Sequence, residues 1–398
     1  MKKIFVLTVA LALLGSISAR AQQNLFISQK IESVVVSDDN SVTFRFIAPK
    51  AHSVQIAGDF VNEVMEEHVN GMVGSGVVEM KEGEGGVWEY TSQPLPSELY
   101  SYEFLVDGVP TLDLNHPYVY RDFATVTNVF IVGNGRGDLY KVNEVPHGTL
   151  SHRWYHSEGL KTDRRINVYT PYGYEVSGKQ KYPVLYLLHG MGGDEDEWVI
   201  FGRACQIMDN LIAQGKAKPM MVVMTNGHTA MQAAPGESSL GYYKPHYFDH
   251  GSMDGEFETY FMEIVQFVDS NYRTIAKKDG RAIAGLSMGG FHSAFISANN
   301  PDVFAYVGLF SAALGVTDAS VSPIYANLEG KLDTQFKKGV KLYWTGIGNT
   351  DFLYAANKKF RENLDAKGYK YTYLETEGGH IWKNWRIYLS VFAPMLFK

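Results

Sequence analysis

The stretch "YPVLYLLHG", Tyr182 to Gly190, constrains the fold of this chain more than any other. Its apolar residues run almost without a break and stop at His189-Gly190. A strand with one face in water would alternate, so a run this uniform predicts a strand covered on both faces, as in a parallel sheet. "KPMMVVMTNG" repeats the pattern, and "RRINVYTP", "RAIAGLS", "VKLYWTGIG" and "YKYTYLE" read as further strands. Helical spacings lie between them. In "FETYFMEIVQFVDSNY", Phe257, Tyr260, Phe261, Ile264, Val265 and Val268 share one helical face, and "FLYAANKKFRENLDAKG" reads as a helix that stops at Gly368. Strands alternating with helices over residues 151–398 predict a doubly wound, mostly parallel sheet, in which sites gather at the carboxyl ends of strands.

Residues 22–135 have a different rhythm. "SVTFRFIAP" alternates, with Val42, Phe44 and Phe46 on one face; "SVQIAGDF" follows suit, and "YSYEFLVDG" puts Tyr100, Tyr102, Phe104 and Val106 on one side. Asp107-Gly108 is a hairpin signal. Short strands separated by Gly-rich loops predict an all-β, antiparallel sandwich of immunoglobulin-like type. Residues 136–150, with Gly, Asn and Pro and no sustained period, read as a linker. "VQIAGDF", the strand around Trp88 and "YSYEFLVDGVPTLDLNHP" resemble the glycogen-binding and isoamylase N-terminal modules, in which the Y-x-F-x-V-D-G hairpin and a following Asp, here Asp113, recur. Some such modules bind glucan through exposed aromatics and others only pack on a catalytic partner; Trp88 reads as packing, since a strand tryptophan is more often core than platform.

The first 21 residues have Lys2 and Lys3, an apolar stretch from Ile4 to about Leu14, and Ala19-Arg20-Ala21. That is the pattern of a cleavable signal peptide, too short to span a bilayer, and it predicts a periplasmic or secreted product. The formal net charge of −7, with no Lys/Arg run, argues against nucleic acid or an anionic membrane as partner. Cys205 is the only cysteine, so no intramolecular disulfide forms and the fold rests on core packing. Cys205 itself reads as a small apolar side chain in a helix.

Gly285-Leu286-Ser287-Met288-Gly289 matches G-x-S-x-G directly after an apolar run and before a helix-compatible one. In that pattern the serine sits on a strained strand-to-helix turn, and its neighbours two residues away lack bulk because the backbone folds tightly. A serine hydroxyl needs a base, and the base needs an orienting acid. Two histidines follow Ser287. His292 falls in the next helix and points away, whereas His380 follows the last strand in "ETEGGHIWKNW" and is the candidate base. Asp351, just past the strand "VKLYWTGIG", is the candidate acid; Asp333 and Asp365 belong to helical segments. Candidate oxyanion donors are the backbone N–H groups of Met288, after the serine, and of Met191, in "LLHGMGGDEDEW". His189 reads as structural.

"LLHGMGGDEDEW", "MDNLIAQGKAKPMMVVMTNG", "FVDSNYRT", "AIAGLSMGG", "GIGNTDFLY" and "GGHIWKNW", in this order, resemble the esterase D-like α/β-hydrolases of carbohydrate esterase family 1 over nearly all of 146–398. The resemblance implies an α/β-hydrolase fold and carries the family's serine, aspartate and histidine onto Ser287, Asp351 and His380. It implies feruloyl or acetylxylan esterase activity on acylated plant cell-wall xylan, with no cofactor. Thr225 departs from the family, where a proline is common. Trp198, Trp382 and Trp385 flank the motif loops and are candidate substrate contacts. His246, Asp249 and His250 invite a metal reading, as do His147, His152 and His156, but their spacing fits no strong zinc pattern. Alternatives are a siderophore esterase of the enterochelin type, acyl transfer to a sugar, and a non-catalytic glycan-binding protein.

Overall fold

The computed structural model describes residues 31–61, 76–122, 125–239, 241, 252–315 and 320–398. The expected signal peptide and the cluster of His246, Asp249 and His250 lie outside the described residues.

The N-terminal part is built from β1 (Val34–Val36), β2 (Val42–Ile47), β3 (Val54–Gly58), β4 (Gly76–Glu79), β5 (Lys81–Glu82), β6 (Val87–Thr91), β7 (Leu99–Val106), β8 (Val109–Thr111), β9 (Val119–Asp122) and β10 (Thr125–Ile131). One sheet runs β1-β2-β6-β5, the other β4-β3-β7-β10-β9 with β8 on β7, and every pair is antiparallel. The alternation seen in the sequence is the reason. Val42 and Phe44 from one sheet face Val54, Ile56, Tyr102 and Phe104 from the other, and all are buried. Asp107 and Gly108 have φ of 49° and 81°, the positive pair that a two-residue hairpin turn requires. Trp88 is buried, and its indole N–H donates to Ala48 O at 3.1 Å, so it packs rather than offering a platform. Asp113 accepts the Tyr102 hydroxyl at 2.8 Å inside the module.

The second sheet runs β11 (Thr149–Ser157), β12 (Thr162–Thr170), β13 (Val184–Leu188), β14 (Met221–Thr225), β15 (Arg281–Leu286), β16 (Tyr306–Phe310), β17 (Leu342–Gly348) and β18 (Thr372–Thr376), in the spatial order β11-β12-β14-β13-β15-β16-β17-β18. β11, β12 and β14 pair antiparallel and the remaining pairs are parallel. "RRINVYTP" is thus a strand but not a parallel one. The sequence reading passes over β11, a polar edge strand, and β16, five residues with a glycine at the centre.

The helices are α1 (Glu197–Ile200), α2 (Ala204–Ala213), α3 (Glu256–Asn271), α4 (Met288–Asn299), α5 (Leu328–Lys337), α6 (Tyr354–Ala366) and α7 (Trp382–Phe392). α3 to α6 cover one face of the sheet, where Phe257, Phe261, Ile264 and Val265 pack with Leu332, Phe360 and Leu364. α2 and α7 cover the other, through Ile207, Met208, Leu211, Tyr388 and Phe392. Among the described residues no helix is long and apolar enough to cross a membrane.

The sandwich docks on the α2/α7 face. Leu99, Val129 and the buried Tyr140 belong to the same apolar cluster as Trp198, Trp344 and Trp385. Residues 136–150 are therefore packed rather than a free connector: Arg136–Tyr140 form a short 3-10 helix, and Asn210 of α2 donates to Leu139 O and Lys141 O at 2.9 and 3.0 Å. A fully buried ion pair crosses the same boundary. Arg386 of α7 donates to Glu98 Oε1 at 3.1 and 3.2 Å and to Leu99 O at 2.8 Å.

Candidate active site

Ser287 stands between β15 and α4 with φ 52° and ψ −115°, a conformation that non-glycine residues rarely adopt. The flanking glycines make the bend possible. A Cβ on Gly285 would lie 2.4 Å from Gly289 C, and one on Gly289 would lie 2.5 Å from His189 O and Leu188 O. The elbow is thus pressed against the loop that leaves β13. Met288 is the first residue of α4, so its N–H has no acceptor within the helix. Across from it, a Cβ on Gly190 would lie 3.4 Å from Ser287 Cβ, which puts the Gly190-Met191 turn alongside the serine.

Asp351 and His380 come together. β17 lies two strands from β15, β18 lies next to β17, and the segments carrying both residues leave the same carboxyl edge as Ser287. Asp351 is buried; its Oδ1 accepts the Leu353 N–H at 2.9 Å and its Oδ2 accepts His380 Nδ1–H at 2.9 Å. That bond places the proton on Nδ1 and leaves Nε2 as the basic nitrogen. The histidine loop is braced by Asn349, whose Oδ1 accepts the Gly378 N–H at 3.1 Å, and by Asn384, which donates to Gly379 O at 2.9 Å. The imidazole lies between Phe352, ring centroids 4.6 Å apart, and Trp385, 4.9 Å away and edge-on. Among the described residues Ser287 Oγ makes no hydrogen bond to His380; such bonds often tighten only when substrate binds.

The loop after β13 is held by two histidines. His189 Nε2 accepts the Gly227 N–H at 2.7 Å, so its Nδ1–H donates to Gly190 O at 2.6 Å. Burial and the neighbouring His228 hold His189 well below the usual imidazole range, which keeps it neutral and keeps this tautomer. His228 Nε2 accepts the Gly192 N–H at 3.1 Å. Further along, Glu195 accepts Arg165 Nε at 2.6 Å, the Ala234 N–H at 2.8 Å and Asn226 Nδ2 at 3.0 Å. Burial, reinforced by Asp194, pushes the Glu195 carboxyl up to about 7 against the pull of Arg165.

The structure places Trp198 and Trp385 in the core and leaves Trp382 partly exposed. Trp198 is 1% exposed and donates its N–H to Leu188 O at 2.9 Å, so it has no face for a ligand. Trp382 packs edge-on to Trp198 at 5.5 Å and near-parallel to Phe201 at 5.7 Å. Trp385 is buried against His380. α7 begins at Trp382, so Trp382 and Trp385, three residues apart, lie on the same side of the helix; Trp385 is buried there and Trp382, at the helix start, only partly. Among the described residues, Phe352, Met191 and Ile381 are exposed apolar side chains at the rim. His292 is fully buried with its Nδ1 2.7 Å from Glu258 Oε1. His147, His152 and His156 each pair separately, with Asp209, Asn167 and Asp163. Cys205 is partly buried in α2, and burial pushes its thiol up to about 12.

Residues 157–394 match the family described as "Putative esterase", and residues 31–119 match carbohydrate-binding module 48, the isoamylase N-terminal domain. An endo-1,4-beta-xylanase/feruloyl esterase of Xylanibacter ruminicola is 32% identical over 375 residues, 92% of this chain and 46% of its own length. This chain therefore spans about half of that relative. A solved ferulic acid esterase is 25% identical with a TM-score of 0.50, covering 62% of this chain and 97% of its own. The enterobactin esterase of Shigella flexneri superposes on 89% of this chain and 92% of its own with a TM-score of 0.60; at 16% identity it shows a shared fold alone. The matched region spans the elbow, the Asp351–His380 pair and the loop after β13, and the chain belongs to the esterase family, with a module of the isoamylase N-terminal type ahead of it.

Proposed function

We propose that this protein is a secreted serine carboxylic-ester hydrolase that removes feruloyl groups, or acetyl groups, from plant cell-wall xylan. The observation that carries the reading is the pairing of buried Asp351 with partly exposed His380 at the sheet edge where Ser287 is held in a strained elbow. In this reading Ser287 Oγ attacks the ester carbonyl and His380 Nε2 takes its proton. Asp351 holds the imidazole and stabilises the imidazolium. The N–H groups of Met288 and Met191 receive the developing oxyanion, each worth a factor of about 10²–10³. His380 then protonates the leaving sugar oxygen. Water, deprotonated by His380, attacks the acyl-enzyme and releases the acid.

Two features favour an aromatic acyl group. The related xylanase/feruloyl esterase and the ferulic acid esterase bear such names. The rim residues Phe352, Met191 and Ile381 are apolar and exposed, which suits a flat ring. The test is hydrolysis of methyl ferulate and of p-nitrophenyl acetate, followed by product analysis on feruloylated arabinoxylan and acetylated xylan. Ser287→Ala should lower kcat by at least about 10³, and Asp351→Asn by about 10⁴. Unchanged turnover in Ser287→Ala would end the nucleophile assignment. Acetate released without ferulate would move the substrate to acetylxylan.

A further inference from the structure

We propose that Arg121, on β9 of the sandwich, is a positioning residue of the esterase site: its ion pair with Asp194 fixes the turn that presents the Met191 N–H. The inference rests on the proposed function and concerns what the N-terminal module does for the reaction itself.

The turn from Gly190 to Gly193 is closed by the Gly193 N–H on Gly190 O at 3.2 Å. Its entry is anchored by His189, which donates to Gly190 O at 2.6 Å, and its middle by His228, which accepts from the Gly192 N–H at 3.1 Å. Both anchors come from the esterase region. The exit is Asp194. Its Oδ1 accepts the Asp196 N–H at 3.0 Å and its Oδ2 accepts Arg121 Nη2 at 2.7 Å, and the carboxylate is 1% exposed. The third anchor of the turn is thus a cation from the other module.

A carboxylate this buried needs a counter-charge. Burial pushes the Asp194 carboxyl up, Arg121 pulls it down, and Asp196 pushes it up again. Asp194 is also one of the groups that raise its neighbour Glu195. With Arg121 gone, Asp194 must take up a proton or swing toward water, and either response moves the backbone on which Met191 sits. An oxyanion donor works only within a few tenths of an ångström of its target, and a misplacement of about 1 Å costs on the order of 10²-fold in rate. The effect belongs in kcat rather than KM, because the donor acts on charge that develops in the transition state.

The experiment uses the full chain and p-nitrophenyl acetate, which carries no sugar for the module to bind. Rates are expressed per active site titrated with a fluorophosphonate, so that misfolded protein does not count. Arg121→Met is expected to lower kcat about tenfold or more with KM within twofold, and to weaken a boronic acid inhibitor by a matching factor. Arg121→Lys, which restores the charge, is expected to recover most of the loss. Asp194→Asn, which keeps the side-chain shape, carries the same expectation as Arg121→Met should that variant fail to fold. A kcat per titrated site within twofold of the wild type in Arg121→Met or Asp194→Asn overturns the proposal, as does an Arg121→Lys no faster than Arg121→Met. Either result with Ser287→Ala inactive leaves the proposed function standing, whereas turnover surviving in Ser287→Ala removes both.

Discussion

At the scale of single residues, Phe352 is the side chain whose replacement should report on the substrate. It follows Asp351 directly, is half exposed, and lies against the His380 ring. Phe352→Ala should raise KM for methyl ferulate several-fold, since a stacked aromatic contact is worth about 0.5–1.5 kcal/mol beyond its buried area. KM for p-nitrophenyl acetate should change much less. Equal effects on the two esters would take Phe352 out of the acyl pocket. Glu195 makes a second residue-scale test. Its carboxyl is raised to about 7 from an ordinary value of 4.5. The folded protein therefore holds a proton there that the unfolded chain has lost, so stability contributed by this group falls as pH rises from about 4.5 through 7. Glu195→Gln cannot titrate. The melting temperature of the variant minus that of the wild type should become more positive from pH 5 to pH 8; a constant difference would contradict the raised value.

At the scale of elements, the strand-to-helix elbow stores backbone strain. Ser287 occupies a φ/ψ region that glycine tolerates better, at a cost of about 1–3 kcal/mol. Ser287→Gly should abolish turnover while raising the unfolding midpoint in urea, and a lowered midpoint would argue against strain at this bend. The elbow was legible in the sequence because its steric demand is local: two glycines, two residues either side of one serine. Asp351 and His380 were legible for a different reason, since each follows a strand that apolar patterning marks, and topology does the rest. The burial of Trp385 was not legible because the sequence near 380 looked like a loop, while α7 starts at Trp382 and turns Trp385 inward; Trp198 is buried from α1 instead. His228 and Arg121 carried no local signal. Their partners are 36 and 73 residues away, and no periodicity reports a contact of that kind. β11 was missed through its polarity, and β16 because a glycine at its centre breaks an apolar run of five residues.

At the scale of the molecule, the two modules meet through a shared apolar cluster and the buried Glu98–Arg386 pair. Glu98 also accepts the Leu99 N–H at 3.0 Å, and Arg386 donates to Phe201 O at 3.1 Å, so the pair ties three segments together. Glu98→Ala leaves a buried guanidinium without its counter-charge and should destabilise the whole chain by about 3–5 kcal/mol. The loss should appear as one cooperative transition in denaturant. A sandwich that melts separately from an intact esterase region would show that the boundary is weaker than its chemistry implies. The shared core also limits what protein engineers can do with this architecture. A foreign sandwich grafted ahead of residue 149 would have to bring its own counterparts of Glu98, Leu99, Tyr140 and Arg121 in matching places, or the resulting chimaera would expose an unhealed apolar scar along α2 and α7.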